Sequence, residues 1–227
     1  MAQKIRIGIT GAYGLIGWHV RCAYLQEEDV TVIPAGRAEF ESAESLQAFV
    51  AQCDAIVHLA GMNRGEEEEV YAANVKLAQD LVAACKAAQT NPHILFSNST
   101  HSLGESRYGA SKRDAATAFG EWAELKGARF TNLILPHVFG EHGRPFYNSV
   151  VHTFCSQIAK GDQPEIHVDG NLELLHASDV AAVALASIRS TDSPSLNAVQ
   201  PEGVKMKTSE LLAKLEAFDH SYREERT

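Results

Sequence analysis

The chain has 227 residues, 45% hydrophobic and 22% charged, and its 20 Lys+Arg against 29 Asp+Glu give a formal charge of −9. That composition suits one compact globular domain with a small satellite, and it excludes disordered, collagenous and disulfide-scaffold classes. A pI near 5.6 without a basic face argues against nucleic acid, whose phosphates demand clustered Lys and Arg, so small-molecule chemistry is expected. Cys22, Cys53, Cys85 and Cys155 match neither a zinc knuckle nor a redox pair, which implies a reduced, cytoplasmic setting. The first residues run directly into an apolar strand without a leader, and no stretch approaches the roughly 18 apolar residues of a membrane span. No membrane association is expected.

Five apolar runs of strand length, at 5–10, 30–34, 55–59, 93–97 and 130–135, alternate with helical patterns at about 14–26, 42–52, 67–89 and 107–126. Buried strands separated by amphipathic helices predict an α/β fold: a doubly wound parallel sheet of the Rossmann type over residues 1–136. From Pro136 the pattern changes to a helix near 147–160, a short strand at 165–168, a helix from about Asp179 and a last one at 208–218. This reads as a small substrate-side lobe over 137–227, with Asp179 as a helix N-cap. Four carboxylates, Glu66 to Glu69, open the third helix, where they suit the positive end of its dipole. The ten histidines show no metal-ligand spacing, and no metal site is expected.

The first strand leads into Thr10-Gly11-Ala12-Tyr13-Gly14-Leu15-Ile16-Gly17, with a helix starting inside the motif. Gly11 permits the tight turn, Gly14 lets the backbone approach a pyrophosphate, and Gly17 lets the helix pack closely on the strand. Tyr13, Leu15 and Ile16 complete this cofactor loop, whose free N–H groups face the phosphates. Glycines three apart resemble the motif of extended short-chain dehydrogenases/reductases, the NAD-dependent epimerase/dehydratase family. The second strand ends in Ala35-Gly36-Arg37. No carboxylate occupies the place where an acid would accept hydrogen bonds from the adenosine ribose of NAD, and the Arg37 guanidinium suits the 2′-phosphate of NADP. NADPH is therefore the expected cofactor, with NADH as the alternative. The third strand ends in His58-Leu59-Ala60-Gly61; the resemblance implies that small residues here leave room for the adenosine half of the cofactor.

Tyr108-Gly109-Ala110-Ser111-Lys112 places a phenol and an amine at i and i+4, on one face of a helix. The preceding strand ends in Ser97-Asn98-Ser99-Thr100, which presents hydroxyls at the carboxyl edge of the sheet. Together these residues resemble the Ser-Tyr-Lys group of the superfamily, with Ser99 as the catalytic hydroxyl and Thr100 as the alternative. Reducing a ketone leaves an alkoxide that must be protonated as it forms. A neighbouring ammonium is expected to pull the phenol below its usual value of about 10. The resemblance implies that Tyr108 gives the proton, Ser99 hydrogen-bonds the carbonyl oxygen, and Lys112 holds the nicotinamide ribose.

The resemblance sharpens in the run from His58 to Arg64, in the short step of nine residues from Ser99 to Tyr108, and in the run from Phe146 to Cys155. These are similar to the reductase domain of bifunctional capsular-polysaccharide enzymes that make UDP-N-acetyl-L-fucosamine precursors. In that family an NADPH-dependent domain reduces the C4 ketone of a UDP-2-acetamido-2,6-dideoxy-hexos-4-ulose, and a cupin domain performs the preceding epimerisation. No counterpart of the cupin occurs in these 227 residues, so the epimerisation is not assigned to them and a separate cupin partner is one arrangement. Arg144 and Asn148 are the candidates for the substrate diphosphate, with Thr100 also substrate-binding. The family's arginine before the strand-ending proline is absent at Leu135-Pro136, though Pro136 is placed at the nicotinamide pocket. Asn74 matches the helix asparagine of the family and is read as structural support. The family further implies a homodimer through the helices carrying Asn74 and Tyr108. Two other readings stand beside the reductase: an NAD-dependent nucleotide-sugar epimerase, and a non-catalytic NADP-binding scaffold or sensor.

Overall fold

The computed structural model describes residues 4–192 and 194–224. In chain order it contains β1 (Ile5–Thr10), α1 (Leu15–Tyr24), β2 (Val30–Ala35), α2 (Ala43–Val50), β3 (Ala55–His58), α3 (Glu67–Ala88), β4 (His93–Ser99), α4 (Arg107–Lys126) and β5 (Phe130–Leu135). There follow β6 (His137–Phe139), α5 (Val150–Lys160), β7 (Asn171–His176), α6 (Ala177–Arg189), β8 (Leu196–Val199), β9 (Val204–Lys207) and α7 (Thr208–Glu224). Short 3₁₀ turns lie at Ala38–Phe40 and Thr100–Leu103. The starts of α2 and α4 coincide with serine caps. Ser42 Oγ accepts the Ser45 N–H and Ser106 Oγ accepts the Gly109 N–H, which satisfies donors that the first helical turn leaves open.

The chain divides into two compact units. The first, residues 1–135 and 178–201, holds a six-stranded sheet in the order β2-β1-β3-β4-β5-β8, every pairing parallel. All four residues of β3 are buried, as are the first six of β4, because helices cover a parallel sheet on both faces. One side of its core joins Phe49, Ile56, Leu81, Phe96, Phe119 and Trp122. The second unit, residues 136–177 and 202–227, holds the small sheet β6-β7-β9, with β7 and β9 antiparallel. Its own core gathers Val151, Phe154, Leu174 and Leu211.

Three expectations are corrected. The boundary at residue 136 does not separate everything after it, because residues 178–201 return to the first unit. β8 completes the parallel sheet beside β5, and the Tyr24 hydroxyl donates to Ala181 O in α6 at 3.1 Å. No strand forms at 165–168: Pro164 lacks a donor, Val168 is 79% exposed, and the strand lies at β7, where Leu174 is buried. Asp179 is not an N-cap but sits in the first turn of α6, where its charge still favours the helix dipole.

Packing leaves no room for a side chain at Gly8 in β1: a Cβ there would lie 2.5 Å from Cys53 Sγ and 2.7 Å from Phe49 Cζ. Gly8→Ala is expected to destabilise the protein by about 1–3 kcal/mol in urea unfolding through overpacking, and Phe49→Leu in the same chain should recover part of that loss.

Candidate active site

β1 and β3 are adjacent although β2 intervenes in sequence, and a parallel sheet binds its ligand beyond the carboxyl ends of its strands at such a switch point. Gly11 has φ +66°, and a Cβ on it would lie 2.8 Å from both Ala60 N and Leu59 C. The loop after β1 therefore lies against the end of β3. A Cβ on Gly17 would come within 2.3 Å of Gly11 O, so only glycine allows α1 to start this close to the loop. Gly14 is the N-cap of α1 and supplies no side-chain bond. The opening N–H groups of Leu15, Ile16 and Gly17 are left without helical acceptors. Open backbone donors at a helix N-terminus, capped by a glycine, fit the pyrophosphate of a dinucleotide.

Thr10 and His58 face each other in the β1–β3 register. Thr10 Oγ1 accepts the N–H groups of Leu59 and Ala60 at 3.2 and 3.3 Å, which leaves its proton for His58 Nδ1 at 2.8 Å. His58 is buried beside Phe96 and Phe119. Burial, with the nearby Lys112 charge, pushes its pKa down to about 3, so the ring stays neutral and serves the loop rather than proton transfer.

Lys112 and Tyr108 lie on α4 as their spacing requires. Lys112 Nζ donates to Ser97 O in β4 at 2.8 Å, stands 4.8 Å from the Phe96 ring centroid and 5.8 Å from that of Tyr108, and would lie 3.6 Å from a Cβ on Gly61. Asn74 in α3 holds this arrangement. Its Oδ1 accepts the Met62 N–H at 2.8 Å, while its Nδ2 donates to Met62 O at 2.8 Å and to Ser111 Oγ at 3.1 Å. Ser111 Oγ in turn donates to Tyr108 O at 2.7 Å. The loop after β3 and the first turn of α4 are thus tied through one side chain.

Burial pushes the Lys112 ammonium from 10.5 down to about 8. It also pushes the Tyr108 phenol above its usual 10.0, so the lowering expected from the lysine is not realised. Desolvation outweighs an ammonium that is itself weakened by burial. Ser99 closes β4; its Oγ accepts the His101 N–H at 3.2 Å and caps the turn Thr100–Leu103. The ring of His101 stands edge-on to Tyr108, centroids 5.9 Å apart. Ser99 and Thr100 are both half-buried.

The first unit thus brings together the glycine loop, Leu59, Ala60, Gly61, Ser99, Thr100, Tyr108 and Lys112. Pro136, Arg144 and Asn148 belong to the second unit: Pro136 is buried directly after β5, Arg144 is exposed with its guanidinium 5.3 Å from the Tyr147 ring centroid, and Asn148 is exposed just before α5.

At the end of β2 the structure corrects the sequence reading. A carboxylate is present: Glu39, in the 3₁₀ turn, accepts the Gly36 N–H at 2.6 Å. Counting strand-end residues hid it, whereas spacing from the glycine loop reveals it: Glu39 lies 39 − 17 = 22 residues beyond Gly17, near the roughly 20 typical of a ribose-binding acid. Arg37 is exposed, and the Tyr13 ring lies against Gly36, with the Arg21 guanidinium 4.9 Å from its centroid.

A profile of the NAD dependent epimerase/dehydratase family matches residues 7–199. A UDP-2-acetamido-2,6-beta-L-arabino-hexul-4-ose reductase of Pseudomonas aeruginosa is 32% identical over 181 residues, which cover 78% of this chain and 47% of that protein. The chain thus spans about half the length of this relative. Among solved structures, the capsular polysaccharide assembling protein CapF from Staphylococcus aureus superposes with a TM-score of 0.81 at 29% identity, over 95% of this chain and 58% of that one. A UDP-N-acetylglucosamine 4-epimerase from Bacillus cereus shares the fold, with a TM-score of 0.83 at 20% identity over 94% and 81% of the two chains. Among the described residues no helix is long and apolar enough to cross a membrane.

A buried ammonium has a measurable signature. Lys112→Met is expected to raise stability at pH 7 by about 1–3 kcal/mol, since each unit of displaced pKa corresponds to about 1.4 kcal/mol and the bond to Ser97 is lost. The unfolded chain holds this proton more tightly than the folded one between about 8 and 10.5, so wild-type stability rises with pH through that window and the advantage of the variant shrinks. Urea unfolding at several pH values checks this; a difference independent of pH would contradict it.

Proposed function

The chain belongs to the NAD dependent epimerase/dehydratase family, and from that membership we propose that it reduces the C4 ketone of a UDP-linked 2-acetamido-2,6-dideoxy-hexos-4-ulose with NADPH, in the synthesis of a surface-polysaccharide precursor. The observation that carries this reading is the placement of Lys112 Nζ between Ser97 O and Gly61, with Tyr108 one turn away on the same helix, beside a loop built to take a pyrophosphate. The name of the 32% identical relative supports the substrate class.

A bound nicotinamide cofactor supplies the hydride. The Tyr108 hydroxyl gives its proton to the oxygen that becomes an alkoxide; burial keeps that phenol protonated, the state a donor needs in the reducing direction. Ser99 Oγ already accepts from the His101 N–H, so its own proton is free for the ketone oxygen. Lys112, cationic below about 8, binds ribose hydroxyls and steadies the phenolate that forms. Arg37 would take the 2′-phosphate of NADPH, and Pro136 is proposed for the nicotinamide pocket. Arg144 and Asn148 supply a cation and an amide donor for the diphosphate.

A second reading, an NAD-dependent epimerase, draws on Glu39, whose carboxylate sits where a ribose-binding acid is expected. Bound NAD that never exchanges with the medium would favour it.

Tyr108→Phe is expected to leave NADPH affinity within about twofold and to lower turnover of the UDP-4-keto sugar by about 10²–10⁴-fold in a stopped-flow assay of NADPH oxidation; unchanged turnover would refute the assigned acid. Arg144→Ala should raise KM for the UDP-sugar by about tenfold, the worth of one charge-assisted bond, while cofactor affinity stays the same.

A further inference from the structure

We infer that His152 is a positioning residue for the sugar nucleotide: it clamps the loop that carries Arg144 and Asn148, and so sets how well the chain holds a nucleoside diphosphate. This rests on the diphosphate role given to Arg144 and Asn148 in the proposed function and deepens it.

The segment between β6 and α5 needs such a clamp. Residues 141–149 contain no helix or strand, so no ladder of backbone bonds holds them in place. His142 and Phe146 adopt left-handed backbones, at φ +66° and +55°, which residues with a Cβ take up only when their surroundings impose it. The first turn of α5 supplies those surroundings. His152 Nε2 lies 2.6 Å from Gly140 O; a carbonyl only accepts, so this nitrogen carries the hydrogen and donates. Thr153 Oγ1 accepts the Phe146 N–H at 3.0 Å and donates to Ser149 O at 2.9 Å. Ser149 Oγ caps the helix by accepting the His152 N–H at 3.5 Å and stands 3.3 Å from His137 Nε2 in β6. The loop is thus tied at its start, its middle and its end to one helical turn.

Among these ties, the one through His152 governs the part of the loop next to Arg144. Its ring lies directly against Gly143, where a Cβ would overlap Nε2, Cε1 and Cδ2. The loop therefore bends around the imidazole, meeting it at Gly140 and Gly143, and only a residue without a side chain fits at the second point. Arg144 follows Gly143 and Asn148 precedes the capping Ser149, and both stay exposed. An exposed arginine on a free loop must be ordered when a ligand arrives, which costs affinity. His152 lowers that cost by holding the loop beforehand, not by contact with the reacting atoms.

The probe is UDP, titrated by calorimetry into the purified full chain. His152→Ala is expected to weaken UDP by about five- to tenfold, approaching the effect of Arg144→Ala, since a misplaced guanidinium contributes little more than an absent one. His152→Gln, whose amide nitrogen can still reach Gly140 O, should stay within about threefold of wild type. Gly143→Ala should act like His152→Ala because it displaces the ring, and in the His152→Ala background it should add less than about twofold. With the keto sugar, His152→Ala should raise KM while kcat stays within about threefold and NADPH affinity is unchanged, a split that general unfolding would not produce. Amide exchange read by mass spectrometry should show protection lost across 140–149 in His152→Ala and kept in β4 and α4. UDP affinity of His152→Ala within about twofold of wild type, or unchanged exchange in the loop, overturns the inference. Weaker UDP binding in His152→Ala but not in Arg144→Ala would count against the diphosphate role of Arg144 and leave His152 standing. A wild type that binds no UDP would count against the proposed substrate class, and the clamp would then stand or fall with the exchange result alone.

Discussion

A buried ammonium, Lys112, stands at the carboxyl edge of the first unit's sheet, at the site proposed as catalytic. Lys112 is almost wholly removed from water, which disfavours its charge, and its Nζ donates to Ser97 O. The fold tolerates that cost because the surrounding backbone is held independently. Asn74 fastens the loop after β3 and, through Ser111, the first turn of α4. Thr10 and His58 fasten the loop after β1 to the end of β3. In the proposed reaction this poorly solvated amine would bind ribose hydroxyls, and the phenol raised by the same desolvation would give the proton. Stability is traded for a site that needs little rearrangement when ligand arrives.

The glycines on the cofactor side express the same constraint in steric form. Gly11 adopts a left-handed backbone and Gly17 admits no Cβ without a clash against the preceding loop. Both positions let the loop after β1, the start of α1 and the end of β3 approach closely, as the proposed pyrophosphate site requires. The buried His58 belongs to this scaffold too. Its pKa near 3 keeps it neutral through the physiological range, so the strand ends it joins do not respond to pH there.

Much of this was legible in the sequence because local rules and global fold agree. β1 and β5 fall where the apolar runs ended, and α4 spans the residues its pattern marked. The Tyr108 and Lys112 spacing needed only helix geometry to put both on one face. What escaped depended on tertiary contacts. Glu39 reaches the end of β2 from a 3₁₀ turn, so reading the strand's last residues missed an acid only a short turn away. β8 was invisible because a four-residue strand with exposed alternate residues has no strong apolar signature, yet β5 gives it a place in the sheet. The run at 165–168 follows Pro164 and stays unpaired, and the pairing belongs instead to β7. The phenol's pKa was misjudged for a related reason: charge proximity can be read from spacing, whereas burial cannot.

Hydride transfer to the sugar is the claim to which the loop, the lysine and the phenol all lead. It is tested most directly by incubating the purified chain with NADPH deuterated at the transferring C4 position and a UDP-linked 2-acetamido-2,6-dideoxy-hexos-4-ulose, then locating the label by mass spectrometry and NMR. The account predicts one deuterium at C4 of the product sugar for each NADPH consumed. A product sugar free of deuterium, or epimerised without net oxidation of the cofactor, would contradict it.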